Sequence, residues 1–163
     1  MLVRHARAEA FADSDRRRQL TASGAADARS LAVWLLSIGL HPDRAVVSPA
    51  DRTRRTWATM LEVTAWGVAA EFDDCLYAGD TQTITDELRV TDPDAHTVLV
   101  VGHNPSVAYL AQILADGEGQ PAAELAMAAG FPTCAAAVFA VSAPWADLEP
   151  GMARLTDFHV GRS

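Results

Sequence analysis

Apolar positions along the chain alternate between short continuous runs and longer stretches in which they recur at helical spacing. Residues 97–101 form the clearest run, Thr-Val-Leu-Val-Val, which is typical of a strand covered on both faces. Thr21 is the predicted N-cap of the clearest helix, which Gly39 ends. The apolar positions of this helix are Ala25, Ala28, Leu31, Ala32, Leu35 and Leu36.

The same alternation continues through the rest of the chain. Further strands are predicted at 1–3, 44–47, 69–72, 133–141 and 153–160, and further helices at 51–63, 81–90, 106–115 and 123–128. The short connection between the last two strands indicates an antiparallel pair or neighbouring strands. Strands that alternate with helices predict an α/β fold, a three-layer sandwich with a mostly parallel central sheet and helices on both faces.

Composition and charge narrow the class of protein. A chain of 163 residues predicts one domain over 1–163, and a 50% hydrophobic content is ordinary for a globular protein. The formal charge of −8 argues against nucleic acid and against an anionic membrane surface as partners. No apolar run approaches the roughly 20 residues that span a bilayer, so we expect a cytoplasmic location. All 13 basic residues are Arg, which excludes lysine Schiff-base chemistry and a P-loop lysine.

The sequence offers no motif for a metal or a cofactor. Cys75 and Cys134 are too few and too far apart for a disulfide framework or a four-ligand zinc site, so both are interpreted as packed thiols. No pair of histidines stands four positions apart on a predicted helix. We therefore expect neither a metal nor a cofactor.

Three predicted strand ends carry polar residues of unusual type. Arg4-His5 follows the first strand, Ser48 to Arg52 follow the second, and Gly102-His103 follows the run at 97–101. Ligands of such sheets bind beyond the carboxyl ends of the strands, so these residues are expected to meet at one rim. Any one of them alone is more often structural, whereas together they indicate a site.

The residue types at this rim indicate a phosphoryl group. Guanidinium groups present fixed donors that match phosphate oxygens and keep their charge near neutral pH. Asn104 is the predicted N-cap of the helix that follows, with Pro105 in its first turn, and the N-terminus of that helix also favours an anion. A neutral histidine can accept a phosphoryl group as a nucleophile, and His5 or His103 could serve.

Spacing within residues 48–56 selects one of three arginines. Positions 48, 52 and 56 lie four apart and face one side of a helix start, which makes Arg52 the inward-facing candidate. Arg54 and Arg55 are expected on a solvated face. Thr56 is expected to pack or to bond to the backbone.

These motifs together resemble the histidine phosphatase superfamily, also called phosphoglycerate mutase-like. Its three signatures are R-H-G or R-H-A, S-P-x-x-R-x-x-x-T and G-H-N-P. They are found here, in the family order, at residues 4–6, 48–56 and 102–105. The resemblance covers nearly the whole chain and implies the phosphoglycerate mutase-like fold.

Within the superfamily the chain is similar to the small SixA-type phosphohistidine phosphatases. Their D-x-x-R-x-L-T-x-x-G segment is found at residues 15–24, and a Leu-Tyr pair stands at 76–77. The resemblance implies that His5 takes the phosphoryl group while Arg4, Arg52 and His103 stabilise its oxygens, and that water then hydrolyses the phosphohistidine. It also makes Arg18 a candidate substrate-binding residue. The implied mechanism is a double displacement without metal.

The general acid is the part of the site that the motifs leave open. Larger relatives place an acidic residue near the leaving group, and Asp73 or Asp74 is the candidate here, although either one alone is more often surface. Without an acid, a phosphohistidine would be favoured over an ester, because an alkoxide leaving group needs a proton more. The chain has no room for a large lid, so an open site could admit a phosphorylated protein or a small phosphorylated substrate. A phosphosugar mutase and a non-catalytic phosphate-recognising module stay as alternatives.

Overall fold

A six-stranded mixed sheet forms the centre of the protein in the computed structural model, which describes residues 1–163. Its strands are β1 (Leu2–Arg4), β2 (Arg44–Val47), β3 (Ala70–Phe72), β4 (Val98–Gly102), β5 (Ala135–Val141) and β6 (Ala153–Val160). They lie in the order β3-β2-β4-β1-β5-β6. The first four strands of that order pair in parallel, and β5 and β6 complete the sheet antiparallel. The predicted mostly parallel sheet is confirmed, and the last two strands, predicted as an antiparallel pair or as neighbouring strands, form an antiparallel pair.

Six helices connect and cover the strands. They are α1 (Ala22–Ser37), α2 (Asp51–Thr64), α3 (Cys75–Ala78), α4 (Thr81–Arg89), α5 (Ser106–Leu114) and α6 (Pro121–Ala128). Short 3-10 turns lie at Asp15–Arg17 and Trp145–Asp147. None of the helices combines the length and the apolar character needed to cross a membrane.

The continuous apolar run of β4 feeds two separate cores because successive side chains of a strand point to opposite faces. Val98 and Val100 join a cluster with residues of α4, α5 and α6. Leu99 and Val101 join a second cluster with residues of α1 and α2. All four side chains are buried, so the sheet is covered on both faces, which confirms the predicted three layers.

The structure confirms one predicted helix cap, corrects another and adds one short helix. Thr21 is confirmed as the N-cap of α1, since its hydroxyl accepts a hydrogen bond from the backbone N–H of Gly24 at 2.9 Å. The prediction that Asn104 caps α5 was wrong. Pro105 is the N-cap, and the Asn104 side chain donates instead to the carbonyl of Phe131 at 2.9 Å. The short helix α3 was not predicted, because four residues are too few to show a helical period.

Candidate active site

A polar cleft of about 560 Å³ opens at the carboxyl ends of the parallel strands. Its lining residues are Arg4, His5, Arg7, Ala8, Asp15, Arg18, Arg52, Tyr77, His103, Asn104 and Thr133. The lining thus carries four guanidinium groups and a single carboxylate. A cleft of this charge in a protein whose net charge is −8 would attract anions locally.

Hydrogen bonds to the backbone and to the ring of His5 hold the residue in one orientation. Its backbone N–H donates to the carbonyl of Gly102 at 3.0 Å, and its own carbonyl accepts from the N–H of Cys134 at 3.0 Å. Nδ1 lies 2.7 Å from the carbonyl oxygen of Ala6. A carbonyl oxygen can only accept, so Nδ1 carries the hydrogen and Nε2 keeps its lone pair.

The pKa of His5 is lowered to about 4, mainly by burial and also by the nearby guanidinium charges of Arg52 and Arg4, against the opposing effect of the hydrogen bond to the Ala6 carbonyl. The ring is therefore neutral near pH 7. A neutral imidazole with a fixed tautomer and a free Nε2 lone pair is the form that can act as a nucleophile.

Arg52 lies in the first turn of α2 and is buried, as the spacing of residues 48–56 predicted. The Thr56 hydroxyl, one turn further on, donates to the carbonyl of Arg52 at 2.7 Å and accepts from the N–H of Ala6 at 3.0 Å. One threonine therefore ties the backbone next to His5 to the helix that carries Arg52. This contact gives a physical role to Thr56, the last residue of the S-P-x-x-R-x-x-x-T signature.

His103 is neutral as well, with the opposite tautomer. Its Nδ1 lies 3.1 Å from Nη2 of Arg52, and because a guanidinium can only donate, Nδ1 must accept. Nε2 then carries the hydrogen and donates to the Ser48 hydroxyl at 2.8 Å. Burial, followed by the charge of Arg52, lowers the pKa of His103 to about 3. The two imidazoles lie close together, with ring centroids 5.1 Å apart.

Arg4 and Asn104 share one backbone acceptor. Nη1 of Arg4 donates to the carbonyl of Phe131 at 2.9 Å, and the Asn104 side chain donates to the same oxygen. The Nε groups of both Arg4 and Arg52 are buried without a hydrogen-bond partner. A buried donor without a partner costs about 1–3 kcal/mol, so the fold holds both guanidinium groups in place at some cost in stability.

The segment between β1 and α1 supplies Asp15 and Arg18 to the cleft. Ala8 and Leu20 pair as an isolated antiparallel bridge at its base, and residues 9–17 between them are exposed. Gly24 is required beneath this segment because a Cβ there would lie only 2.0 Å from the carbonyl oxygen of Arg7.

The carboxylate of Asp15 accepts hydrogen bonds from three side chains of the cleft. Its Oδ1 accepts from Arg18 Nη1 at 2.9 Å, and its Oδ2 accepts from Arg52 Nη2 and from the Tyr77 hydroxyl, each at 3.0 Å. The hydrogen bond from Arg18 and those from Tyr77 and Arg52 lower the pKa of this carboxyl to about 2. Asp15 is therefore ionised near neutral pH.

The cleft brings together five of the seven side chains that the sequence singled out: Arg4, His5, Arg18, Arg52 and His103. Asp73 and Asp74 do not line it. Oδ1 of Asp73 accepts from the N–H of Cys75 at 2.7 Å, and Asp74 pairs on the surface with Arg16 at 2.6 Å. The position of neither carboxylate supports its predicted role as the general acid, since each is engaged elsewhere.

The outward direction predicted for the other two arginines of α2 is observed. Both residues are exposed: the Arg54 guanidinium stacks 3.8 Å from the ring centre of Phe72, and Arg55 pairs with Glu62 at 3.3 Å. Sequence reasoning did not assign Arg7 to the site, nor the acceptor at Phe131. No three His, Cys, Asp or Glu side chains are placed so that they could hold a metal ion together.

Comparison with known sequences identifies related proteins. The chain matches the family model of the histidine phosphatase superfamily, branch 1, over residues 1–97. An uncharacterised protein of Mycobacterium tuberculosis is 35% identical over 164 residues, which cover 98% of this chain and 100% of that protein. Phosphohistidine phosphatase SixA of Escherichia coli K12 is 31% identical over 122 residues, covering 74% of this chain and 76% of that protein.

Solved structures show the same fold. A SixA structure from Nakamurella multipartitia has a TM-score of 0.87 and 31% identity, and the match covers 99% of this chain and 95% of that chain. The protein histidine phosphatase SixA complexed with tungstate has a TM-score of 0.80 and 27% identity, with 98% and 94% covered. The α/β sandwich described above is therefore shared with these proteins.

Proposed function

The chain belongs to the histidine phosphatase superfamily, and from this premise we propose that it is a metal-independent phosphatase that carries the phosphoryl group on His5. The observation that carries the proposal is the state of His5. The ring is neutral, its Nδ1 hydrogen is engaged by the Ala6 carbonyl, and its Nε2 lone pair is free.

The proposed reaction has two displacements at phosphorus. Nε2 of His5 attacks the phosphorus, the bond to the leaving group breaks, and the leaving group takes the electron pair. Water then attacks the phosphorus of the phosphohistidine. The P–N bond breaks, its electron pair returns to Nε2, a proton of the attacking water passes to solvent, and inorganic phosphate leaves. His5 returns to its neutral form with Nδ1 still bound to Ala6.

The arginines of the cleft are proposed to hold the phosphoryl oxygens. Arg4 and Arg52 line the cleft together with His5 and His103. A phosphoryl group in transfer spreads negative charge over its oxygens, and fixed cations stabilise that charge without reorganisation. The tungstate bound by one structural relative supports this assignment, because tungstate is a tetrahedral oxyanion.

The same electrostatics leave the cleft without a ready proton donor. Asp15 is ionised near neutral pH, and the single ring hydrogen of His103 is engaged by Ser48. An alkyl ester would need its leaving oxygen protonated, whereas an imidazole or a phenolate leaves more readily. We therefore propose phosphohistidine, carried on a protein, as the preferred substrate, in agreement with the name of the Escherichia coli relative.

The decisive experiment traps the intermediate. Wild-type protein, His5→Ala and the control His96→Ala, an exposed histidine outside the cleft, are mixed with a radiolabelled phosphohistidine protein and quenched. We expect acid-labile, alkali-stable label on His5 in wild type and in the control, and none in His5→Ala. Label on another residue, or equal turnover by all three proteins, would refute the assignment of His5.

Product analysis separates the alternatives. Isomerisation of a phosphosugar without net release of phosphate would identify a mutase. Tight phosphopeptide binding without turnover by the wild type would identify a recognition module. Release of phosphate with turnover by wild type, and its loss in His5→Ala, is the outcome that we expect.

A further inference from the structure

Asp15 holds the outer edge of Arg52 in the same way that an anionic ligand would. Nη1 of Arg52 donates to the backbone carbonyl of Asp15 at 2.7 Å, and Nη2 donates to its carboxylate at 3.0 Å. These two terminal nitrogens form one of the forks with which a guanidinium binds a phosphate through two parallel hydrogen bonds. One residue of the chain therefore occupies donors that a phosphoryl group could use.

The carboxylate competes for a second cation as well. Arg18 Nη1 donates to Oδ1 of Asp15 at 2.9 Å, so two of the four cleft arginines are engaged by one internal anion. A dianionic phosphoryl group in the same cleft would meet an ionised carboxylate, and like charges at close range repel. Phosphate binding and this arrangement of Asp15 therefore oppose each other.

The position of Asp15 allows it to move without disturbing the core. It begins a three-residue 3-10 turn in the exposed segment 9–17, and about half of its side chain is accessible to solvent. The segment is anchored at its base, where half-buried Ala8 pairs with half-buried Leu20. Exchanging the carboxylate for a phosphoryl group requires only local rearrangement.

We propose that Asp15 competes with the phosphoryl group for Arg52 and Arg18. It is in this sense a specificity-determining residue, because it weakens the binding of inorganic phosphate in the cleft. The inference rests on the proposed function. In the free protein the carboxylate occupies Arg52 and Arg18, the substrate displaces it, and its return favours release of the product. Four arginines without this competitor would retain phosphate and slow turnover through product inhibition.

The test measures phosphate binding directly, by calorimetry with inorganic phosphate, on wild type, Asp15→Asn, Asp15→Ala and Asp13→Asn. Asp13 is the matched control because it is exposed on the same segment and makes no hydrogen bond or ion pair. We expect the Kd for phosphate to fall about tenfold in both Asp15 variants, which corresponds to about 1.4 kcal/mol, and to stay unchanged in Asp13→Asn. The inhibition constant of phosphate in an aryl phosphatase assay should fall in parallel.

Two results would overturn the inference, and a third would refute the proposed function. An unchanged or higher Kd in the Asp15 variants would overturn the inference, because the carboxylate would then orient Arg52 rather than compete for it. An equal fall in Asp13→Asn would also overturn it, since general charge would explain the change. Absence of phosphate binding in all four proteins would instead refute the phosphoryl site itself, and with it the proposed function.

Discussion

Nη2 of Arg52 donates a hydrogen bond to Nδ1 of His103 across 3.1 Å, which places a permanent cation against an imidazole nitrogen that must stay unprotonated. A proton on Nδ1 would remove the acceptor and bring two positive charges together. The low pKa of His103, about 3, follows from burial and from this contact. The cleft thus contains cationic arginines and neutral histidines. The arginines can bind the phosphate oxygens while a neutral histidine keeps the lone pair needed for nucleophilic attack.

The first prediction concerns the protonation of the two histidines. We expect the ring resonances of His5 and His103 to keep their neutral tautomers down to about pH 5, because burial and nearby arginines lower both pKa values, to about 4 and about 3. Below pH 4 the lone pair of His5 is lost to protonation, so phosphoenzyme formation should also fall. Heteronuclear NMR across pH 3–8 measures the midpoints. A midpoint between pH 6 and 7 for either ring would contradict the geometry.

The second prediction compares two arginines of α2. Arg52→Lys keeps a positive charge but loses the planar fork, and kcat/KM should fall by about 100-fold or more, within the range found when one stabilising donor is removed. Arg54→Lys is the matched control, since Arg54 is exposed and stacks on Phe72. Its kcat/KM should stay at the wild-type value. Steady-state hydrolysis of an aryl phosphate measures both, and equal losses would show that general charge near α2 matters rather than the fork of Arg52.

Much of this architecture could be predicted from the sequence because its cause is local. The run at 97–101 indicated a strand covered on both faces, and alternate residues of β4 do enter different cores. The turn-length spacing of Ser48, Arg52 and Thr56 likewise gave the inward face of α2, since helical geometry alone determines which residues share a face.

The parts that could not be predicted depend on contacts between distant segments. Asp15 lies in an exposed, aperiodic segment, and no pattern in residues 9–17 indicates that it turns back onto Arg52, 37 positions away. The acceptor shared by Arg4 and Asn104 is the backbone carbonyl of Phe131, and a backbone group has no signature in the side-chain sequence. The two carboxylates proposed as acids, Asp73 and Asp74, follow a strand end but are turned to other partners.

The third prediction concerns the hydroxyl that joins the Ala6 backbone to α2. Thr56→Val preserves shape but leaves the Ala6 N–H buried without its acceptor, which should lower the free energy of unfolding by about 1–3 kcal/mol. Thr59→Val on the same helix should be neutral or stabilising, because the buried Thr59 hydroxyl has no partner to lose. Urea unfolding of the two variants measures the difference. Equal destabilisation would show that the Thr56 contact contributes nothing specific.

The fourth prediction concerns the glycine beneath the segment that carries Asp15 and Arg18. A Cβ on Gly24 would lie 2.0 Å from the carbonyl oxygen of Arg7, and the obstructing atom is backbone, so either α1 or the segment at Arg7 must shift. Overpacking of this kind costs about 1–3 kcal/mol, and the shift should also displace the Arg18 and Asp15 side chains from the cleft. Gly24→Ala is therefore expected to lower both the midpoint of thermal unfolding and the rate of aryl phosphate hydrolysis.

Gly67→Ala is the control for this change, because a Cβ at Gly67 would meet nothing within 4 Å. It should leave activity unchanged, and by restricting the unfolded chain it should hold or slightly raise the thermal midpoint. Retention of the wild-type midpoint and rate by Gly24→Ala would mean that the segment from Arg7 to Arg18 tolerates displacement. In that case the close approach of α1 to the Arg7 carbonyl would not be what positions Asp15 and Arg18 at the cleft.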